Sequence, residues 1–143
     1  MIVWDTSALV RCFQAREPGH ARAAGLLRQR VRHAASTLLG VETAAALVRF
    51  YRQDKARLRE TLDDFDEIAK ALYWCEIDER VLRRARAAVE RHGLRGSDAI
   101  HLATALHLAA AAGRRGLHLA TTDLELIRAA KAEGLRVLRP DED

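Results

Sequence analysis

Apolar positions along the chain fall into two regimes. Short continuous apolar runs alternate with longer stretches in which apolar residues recur every third or fourth position. The runs predict buried strands and the recurrences predict helices. Ile2-Val3-Trp4 is the first strand, ending on Asp5 and turning through Thr6-Ser7 into a short helix, Ala8–Ala15, which Glu17-Pro18-Gly19 breaks. His20–Arg32 carries Ala21, Ala24, Leu27 and Val31 at helical spacing, and His33–Ser36 is a second short strand. Ser36 or Thr37 is positioned to cap a helix over Leu38–Arg52. Gln53-Asp54-Lys55 turns the chain into a helix over Ala56–Ala71, giving an antiparallel helical hairpin. Leu72–Ile77 is aromatic and β-favouring. Asp78 caps a helix to His92, which Gly93 stops. Ser97 caps Asp98–Ala112, Leu117–Thr121 is the fourth strand, and Thr122 caps Asp123–Glu133 up to Gly134. Arg136-Val137-Leu138 is the fifth strand, before Pro140 and an acidic tail.

Strands alternating with helices predict an α/β fold, a parallel sheet covered by helices on both faces. No linker, repeat or low-complexity stretch interrupts it, so a single domain over residues 1–143 is expected. Composition adds charge to this picture: the net charge is +4, carried by 24 Lys and Arg against 20 Asp and Glu. Only Lys55, Lys70 and Lys131 are lysines, so arginine dominates, and arginine suits forked contacts to phosphate. This balance permits a nucleic-acid partner without requiring one. Cys12 and Cys75 stand far apart in no paired motif and read as buried thiols of a reducing compartment. No secretory leader pattern is present, and the longest uncharged run, Ala99–Gly113, is too short to span a bilayer. A soluble cytoplasmic protein is the expectation.

Four acids sit where a core or a helix start explains them incompletely. Asp5 is the only charged side chain among the first ten residues, at the end of an apolar strand. A carboxylate there must be hydrated, paired or bound to a cation. Glu42 is the only charged residue of Thr37–Val48, and its helical neighbours Leu38, Leu39, Ala45 and Ala46 are apolar. Asp98 is the only Asp, Glu, Lys or Arg between Gly96 and Gly113. Asp123 follows the fourth strand. Each has an ordinary alternative: Glu42 and Asp98 as carboxylates favoured by a helix N-terminus, Asp123 as a first-turn acid beside a Thr122–Glu125 capping box. Together they carry more weight, because strand ends and helix starts face one rim of a βαβ layout. Four converging carboxylates repel unless something positive lies between them. Oxygen-only donors suit Mg²⁺ or Mn²⁺, and a pair of such ions about 4 Å apart supports phosphodiester cleavage. Thr6, Ser7 and Thr121 are candidates to orient the carboxylates or hold waters around them.

DTSALV at residues 5–10, STLLGVETAAAL at 36–47, LRGSDAIHLATAL at 94–106 and TTDLELIRAAKAEGLRV at 121–137 resemble the PIN domain, in particular the VapC-type ribonuclease toxins of bacterial toxin–antitoxin pairs. The resemblance covers essentially the whole chain. It implies a three-layer α/β/α fold with a central five-stranded parallel sheet. It implies a Mg²⁺- or Mn²⁺-dependent endoribonuclease in which Asp5, Glu42 and Asp98 hold the main metal and Asp123 a second metal or a water. Hydrolysis by a metal-activated water would leave 5′-phosphate and 3′-hydroxyl ends. The resemblance also implies a homodimer held silent by a VapB-like antitoxin whose C-terminal tail enters the acidic groove.

Arg11, Arg49 and Arg95 are candidates to offset the acids at the rim and position an RNA backbone. His101, one turn after Asp98, is either a catalytic base or a buried partner of the acids. Trp4 and Trp74 read as core aromatics. The hairpin Leu38–Ala71 is core cover, or partly a surface for a second subunit or the antitoxin. Two other readings are a phosphotransfer-type phosphatase and a PIN-fold binding or scaffold module without cleavage. The DTS after the first strand lacks the second Asp of the phosphatase pattern, and the presence of all four acids disfavours the scaffold.

Overall fold

The computed structural model describes residues 1–142; Asp143, the end of the acidic tail, lies outside the described residues. The strands are β1 (Ile2–Trp4), β2 (His33–Ser36), β3 (Tyr73–Cys75), β4 (His118–Ala120) and β5 (Arg136–Leu138). The helices are α1 (Thr6–Leu9), α2 (His20–Leu27), α3 (Leu38–Phe50), α4 (Lys55–Ala69), α5 (Glu79–His92), α6 (Gly96–Ala112) and α7 (Leu124–Ala132), with a 3-10 turn over Val10–Phe13. All strand pairs are parallel, in the order β3-β2-β1-β4-β5. This is the expected three-layer α/β/α arrangement on a five-stranded parallel sheet.

β1 is central, which is why its three residues are apolar without alternation: Ile2, Val3 and Trp4 are each at most 2% exposed. Its register pairs Val3 with Ala34 on one side and with Leu119 on the other. Val3, Ala34 and Leu119 pack with α5, α6 and α7 through residues such as Val81, Leu102 and Leu126. Ile2, Trp4, Ala35 and Ala120 face the other way, against Leu9, Leu39, Leu47 and Phe65. The chain runs outward from β1 through β2 to β3, then crosses back to place β4 on the free side of β1. The strand order therefore reverses between β1 and β4, and ligands of open α/β sheets gather at the carboxyl end of such a switch point. Asp5 is the first residue past β1 there, its N–H donating to Ala120 O of β4 at 2.9 Å.

Several boundaries differ from the sequence expectation, each for a local reason. The first helix starts at Thr6 rather than Ala8 because Asp5 is its N-cap, accepting from Ser7 N–H; it tightens into the 3-10 turn and stops at Phe13, short of Ala15. α2 ends at Leu27, not Arg32, because Ile2 N–H must reach Arg32 O to begin the β1–β2 ladder, so the chain is already leaving the helix. Thr37 makes no side-chain cap; Ser36 Oγ accepts from Leu38 N–H, and α3 ends at Phe50 rather than Arg52. α4 runs Lys55–Ala69, capped by Asp54, and β3 is only the middle of the aromatic run. Ser97 is not a cap: α6 begins at Gly96 after an extended Arg95. Thr122 and Glu125 form no capping box, since Asp123 itself accepts from Leu126 N–H at the start of α7. β4 is confined to His118–Ala120. Asp78 and Gly93 bound α5 as expected, Gly93 in the left-handed region at φ +68°.

Behind the site, the end of α5 is tied to the end of α7. Glu133 accepts from His92 Nε2 at 2.8 Å and pairs with Arg91. The His92 hydrogen bond outweighs burial and, with Arg91, holds the Glu133 carboxyl below the usual glutamate range. A depressed carboxyl contributes stability that is present above its unfolded value and is lost as the pH falls through its folded one. The wild-type chain is therefore expected to lose more stability on acidification below about pH 4.5 than Glu133→Gln. Urea midpoints measured across that range for both proteins check this. Parallel curves would show that the cluster contributes no acid sensitivity.

Candidate active site

Four elements bring the four acids to one cavity. Asp5 ends β1, Glu42 lies in the second turn of α3, Asp98 in the first turn of α6, and Asp123 caps α7. All four line a cavity of about 500 Å³, with Thr6, Ser7, Ser97, Arg49 and Arg95 among its other walls. The expectation that strand ends and helix starts share a rim is realised.

Asp5 and Asp123 divide their two oxygens between the fold and a basic side chain, whereas Glu42 and Asp98 each engage one oxygen only. Asp5 is 3% exposed, and its Oδ2 accepts from Ser7 Oγ, from Ser7 N–H at 3.3 Å and from Thr121 Oγ1 at 2.8 Å. Its Oδ1 stands 3.6 Å from His101 Nε2. Glu42 uses Oε2 alone, accepting from Thr6 Oγ1 and from His101 Nε2, both at 2.6 Å. Asp98 Oδ2 accepts from Arg95 Nε at 3.0 Å. Asp123 spends Oδ1 on Leu126 N–H and turns Oδ2 to Arg95 Nη2 at 3.5 Å. The three hydroxyls singled out in the sequence are thus direct partners of the acids: Thr6 holds Glu42, while Ser7 and Thr121 hold Asp5. Ser7 Oγ also accepts from Thr122 N–H at 2.9 Å, which ties the β4–α7 connection to the start of α1.

The electrostatics follow from these contacts. Burial raises the Asp98 carboxyl, and Asp123 and Asp5 push the same way; Arg95 opposes them without cancelling them, so Asp98 stays above the usual aspartate range. Burial also raises Glu42, but the His101 and Thr6 hydrogen bonds overcome it, and the net direction is down. His101 is 1% exposed. Burial disfavours its charge, yet Glu42, Asp5 and Asp98 outweigh that and raise the imidazole pKa. Its Nε2 carries the hydrogen, because it faces two carboxylates, while Nδ1 is buried without a partner. Of the two readings of His101, the geometry selects the buried partner of the acids. Its position one turn after Asp98 in an otherwise uncharged helix was the only sequence signal.

Among the arginines named from sequence, Arg49 and Arg95 reach the cavity wall. Arg11 does not: it pairs with Glu17 at 3.3 Å, away from the acids. Trp4 is fully buried and donates to His33 Nδ1, and Trp74 donates to Ala69 O, so both serve the core. Cys12 and Cys75 are free thiols, with burial pushing Cys12 up to about 12. No helix among the described residues is long and apolar enough to cross a membrane.

The donor set fits a hard divalent cation: the cavity is lined by four carboxylates and several hydroxyls, with no cysteine or histidine among its lining residues. Among the described residues, no three acidic, His or Cys side chains are drawn together as a finished metal cage. The contacts explain this, because Arg95 takes up Asp98 and Asp123 while His101 takes up Glu42.

The architecture recurs in known proteins. The family model for the PIN domain matches residues 2–132. Ribonuclease VapC45 of Mycobacterium tuberculosis (strain CDC 1551 / Oshkosh) is 32% identical over 140 residues, 96% of this chain and 94% of that protein. A toxin–antitoxin complex from Klebsiella pneumoniae superposes with a TM-score of 0.71 at 22% identity over the full length of both chains. Mycobacterium tuberculosis VapC20, described as a sarcin–ricin loop cleaving toxin, superposes at 0.67 with 17% identity, covering 90% of this chain and 95% of that one. The chain belongs to the PIN-domain family and, within it, to the VapC-type ribonucleases.

Proposed function

We propose that this chain is a Mg²⁺- or Mn²⁺-dependent endoribonuclease, the toxin of a VapBC-type toxin–antitoxin pair. The observation that carries the reading is the gathering of Asp5, Glu42, Asp98 and Asp123 from four separate elements onto one open cavity, each with part of its carboxylate uncommitted to the fold. The kinship to proteins named as VapC ribonucleases supports it.

Asp5, Glu42 and Asp98 would hold the main ion, with Asp123 completing the site. When bound, the ion supplies Lewis acidity, making water a stronger nucleophile at neutral pH and stabilising charge on the leaving oxygen. The chain's own residues do the rest. Ser7 and Thr121 fix the rotamer of Asp5, and Thr6 and His101 fix that of Glu42, so the donors are pre-oriented. Arg49 and Arg95 offer guanidinium groups to an RNA backbone that the acids alone would repel. For the antitoxin and a second subunit, the supporting feature is the outer face of α3, where Val41 (73% exposed) and Val48 stand in solvent and Val41 lines the cavity. Unpaired Cys12 and Cys75 suit a cytoplasmic setting.

Incubating the purified chain with labelled total RNA in Mg²⁺, in Mn²⁺ and in EDTA tests this. Discrete cleavage products with 3′-hydroxyl ends are expected with either ion and none in EDTA. Cleavage that continues unchanged in EDTA would remove the metal from the reading. Hydrolysis of small phosphoesters with intact RNA would turn it toward a phosphatase.

A further inference from the structure

Arg95 stands where a metal-free acid site needs a positive charge. It is the residue just before α6, with an extended backbone and no role as a side-chain cap. Its guanidinium spans two acids from different elements: Nε donates to Asp98 Oδ2 at 3.0 Å and Nη2 lies 3.5 Å from Asp123 Oδ2. The side chain is 78% exposed, while Asp98 is 12% exposed. The carboxylate is held by the fold and the arginine is not. A long exposed side chain can leave its partners without disturbing the core, and it gives up only screened ion pairs in doing so.

His101, the other basic group against these acids, differs in each respect. It is buried at 1% exposure, is fixed by packing, and touches Glu42 and Asp5 rather than Asp98 and Asp123. Arg49 lines the same cavity, but no ion pair joins it to a carboxylate among the described residues. Arg95 alone is both engaged with candidate ligands and free to move.

We propose that Arg95 is an exchangeable internal counter-cation: it neutralises Asp98 and Asp123 while no divalent ion is bound, competes with that ion for the same two carboxylates, and on being displaced turns its fork to a phosphate of the RNA. This rests on the metal-dependent reading above and adds a regulation of the same site. Metal uptake and backbone binding become linked, because the ion that completes the donor set also releases the arginine that grips the substrate. A guanidinium fork fits either a carboxylate pair or two phosphate oxygens, so one side chain serves both states.

The test is calorimetric titration of Mn²⁺ into wild type, Arg95→Gln, Arg49→Gln and Asp98→Asn in the absence of RNA, followed by RNA kinetics at saturating Mn²⁺. Arg95→Gln is expected to bind Mn²⁺ more tightly, by about fivefold, a modest gain because the ion pairs it removes are exposed and screened. The same variant is expected to raise KM for RNA several-fold, so the two effects run in opposite directions. Arg49→Gln should leave Mn²⁺ affinity within about twofold, since it removes the same charge without an ion pair. Unchanged or weakened Mn²⁺ binding in Arg95→Gln, or an equal gain in Arg49→Gln, overturns the proposal while leaving the metal site in place. Wild-type protein that takes up no Mn²⁺, indistinguishable from Asp98→Asn, overturns the metal site itself.

Discussion

Asp5→Asn is expected to lower RNA cleavage on the order of 10³-fold and leave the fold intact, with stability within about 1 kcal/mol of wild type. The two effects separate because Asp5 does two jobs with two oxygens. Oδ2 accepts from Ser7 and Thr121 and caps α1. Asparagine keeps one such oxygen and is as good an N-cap as aspartate. What it lacks is the charge at the other position, where Asp5 Oδ1 stands 3.6 Å from His101 Nε2 at the centre of the acid group. An amide there sets a donor against a donor and removes one of the few negative charges able to hold a divalent ion. Thermal unfolding by circular dichroism, Mn²⁺ titration and a gel assay on labelled RNA read the three consequences independently. A well-folded Asp5→Asn that cleaves RNA at the wild-type rate would remove Asp5 from the chemistry and reduce the cavity to a structural feature.

The reason this site was legible from sequence is energetic. Asp5, Glu42 and Asp98 each interrupt an apolar stretch where an unpaired charge costs several kcal/mol, so each announced a partner elsewhere. The parallel α/β fold then dictated where strand ends and helix starts meet. β1 was legible for the same kind of reason, since only a central parallel strand needs an unbroken apolar run. The basic groups were legible only as candidates, Arg95 alongside Arg11 and Arg49, and His101 with two readings open. Arg95 resembles every other arginine of an arginine-rich surface, and its partner Asp123 lies in a different element. His101 reaches Glu42 across 59 residues of sequence, a contact made only because α3 and α6, which cover opposite faces of the sheet, come together at its carboxyl edge. The helix starts at Ser97 and Thr122 misled for a different reason. Both residue types favour caps, but the neighbouring backbone had already begun the helix at Gly96, and Asp123 offered a better acceptor than Thr122. The β1–β2 ladder likewise overrode helical periodicity after Leu27.

His101 carries the second large expectation. Replacing it with alanine removes the buried imidazole that faces Glu42 and Asp5, leaving Glu42 with Thr6 alone and Asp5 Oδ1 without its basic neighbour. It also empties the volume of an imidazole that is 1% exposed. A fully buried pair would cost about 3–5 kcal/mol to break; Glu42 is 27% exposed, so water recovers part of this and about 2–3 kcal/mol is expected. Cleavage is expected to fall about 10–100-fold, the size seen when partners that orient metal ligands are lost. Stability alone does not distinguish a positioning role from simple packing, but charge does. His101→Gln fills much of the space and keeps a donor toward Glu42 without the charge. If His101 acts by holding the acids, Glu42→Gln combined with His101→Ala will be markedly less damaging to stability than the two single changes added together, because the first removes the charge that the second leaves stranded. Mg²⁺ will also raise the unfolding temperature of His101→Ala more than that of wild type, since the bound ion offsets acids that the variant leaves without their basic partner. Strict additivity in the double mutant, with equal Mg²⁺ shifts in both proteins, would mean that His101 only fills space beneath the cavity and that the acids are oriented by their hydroxyl partners alone.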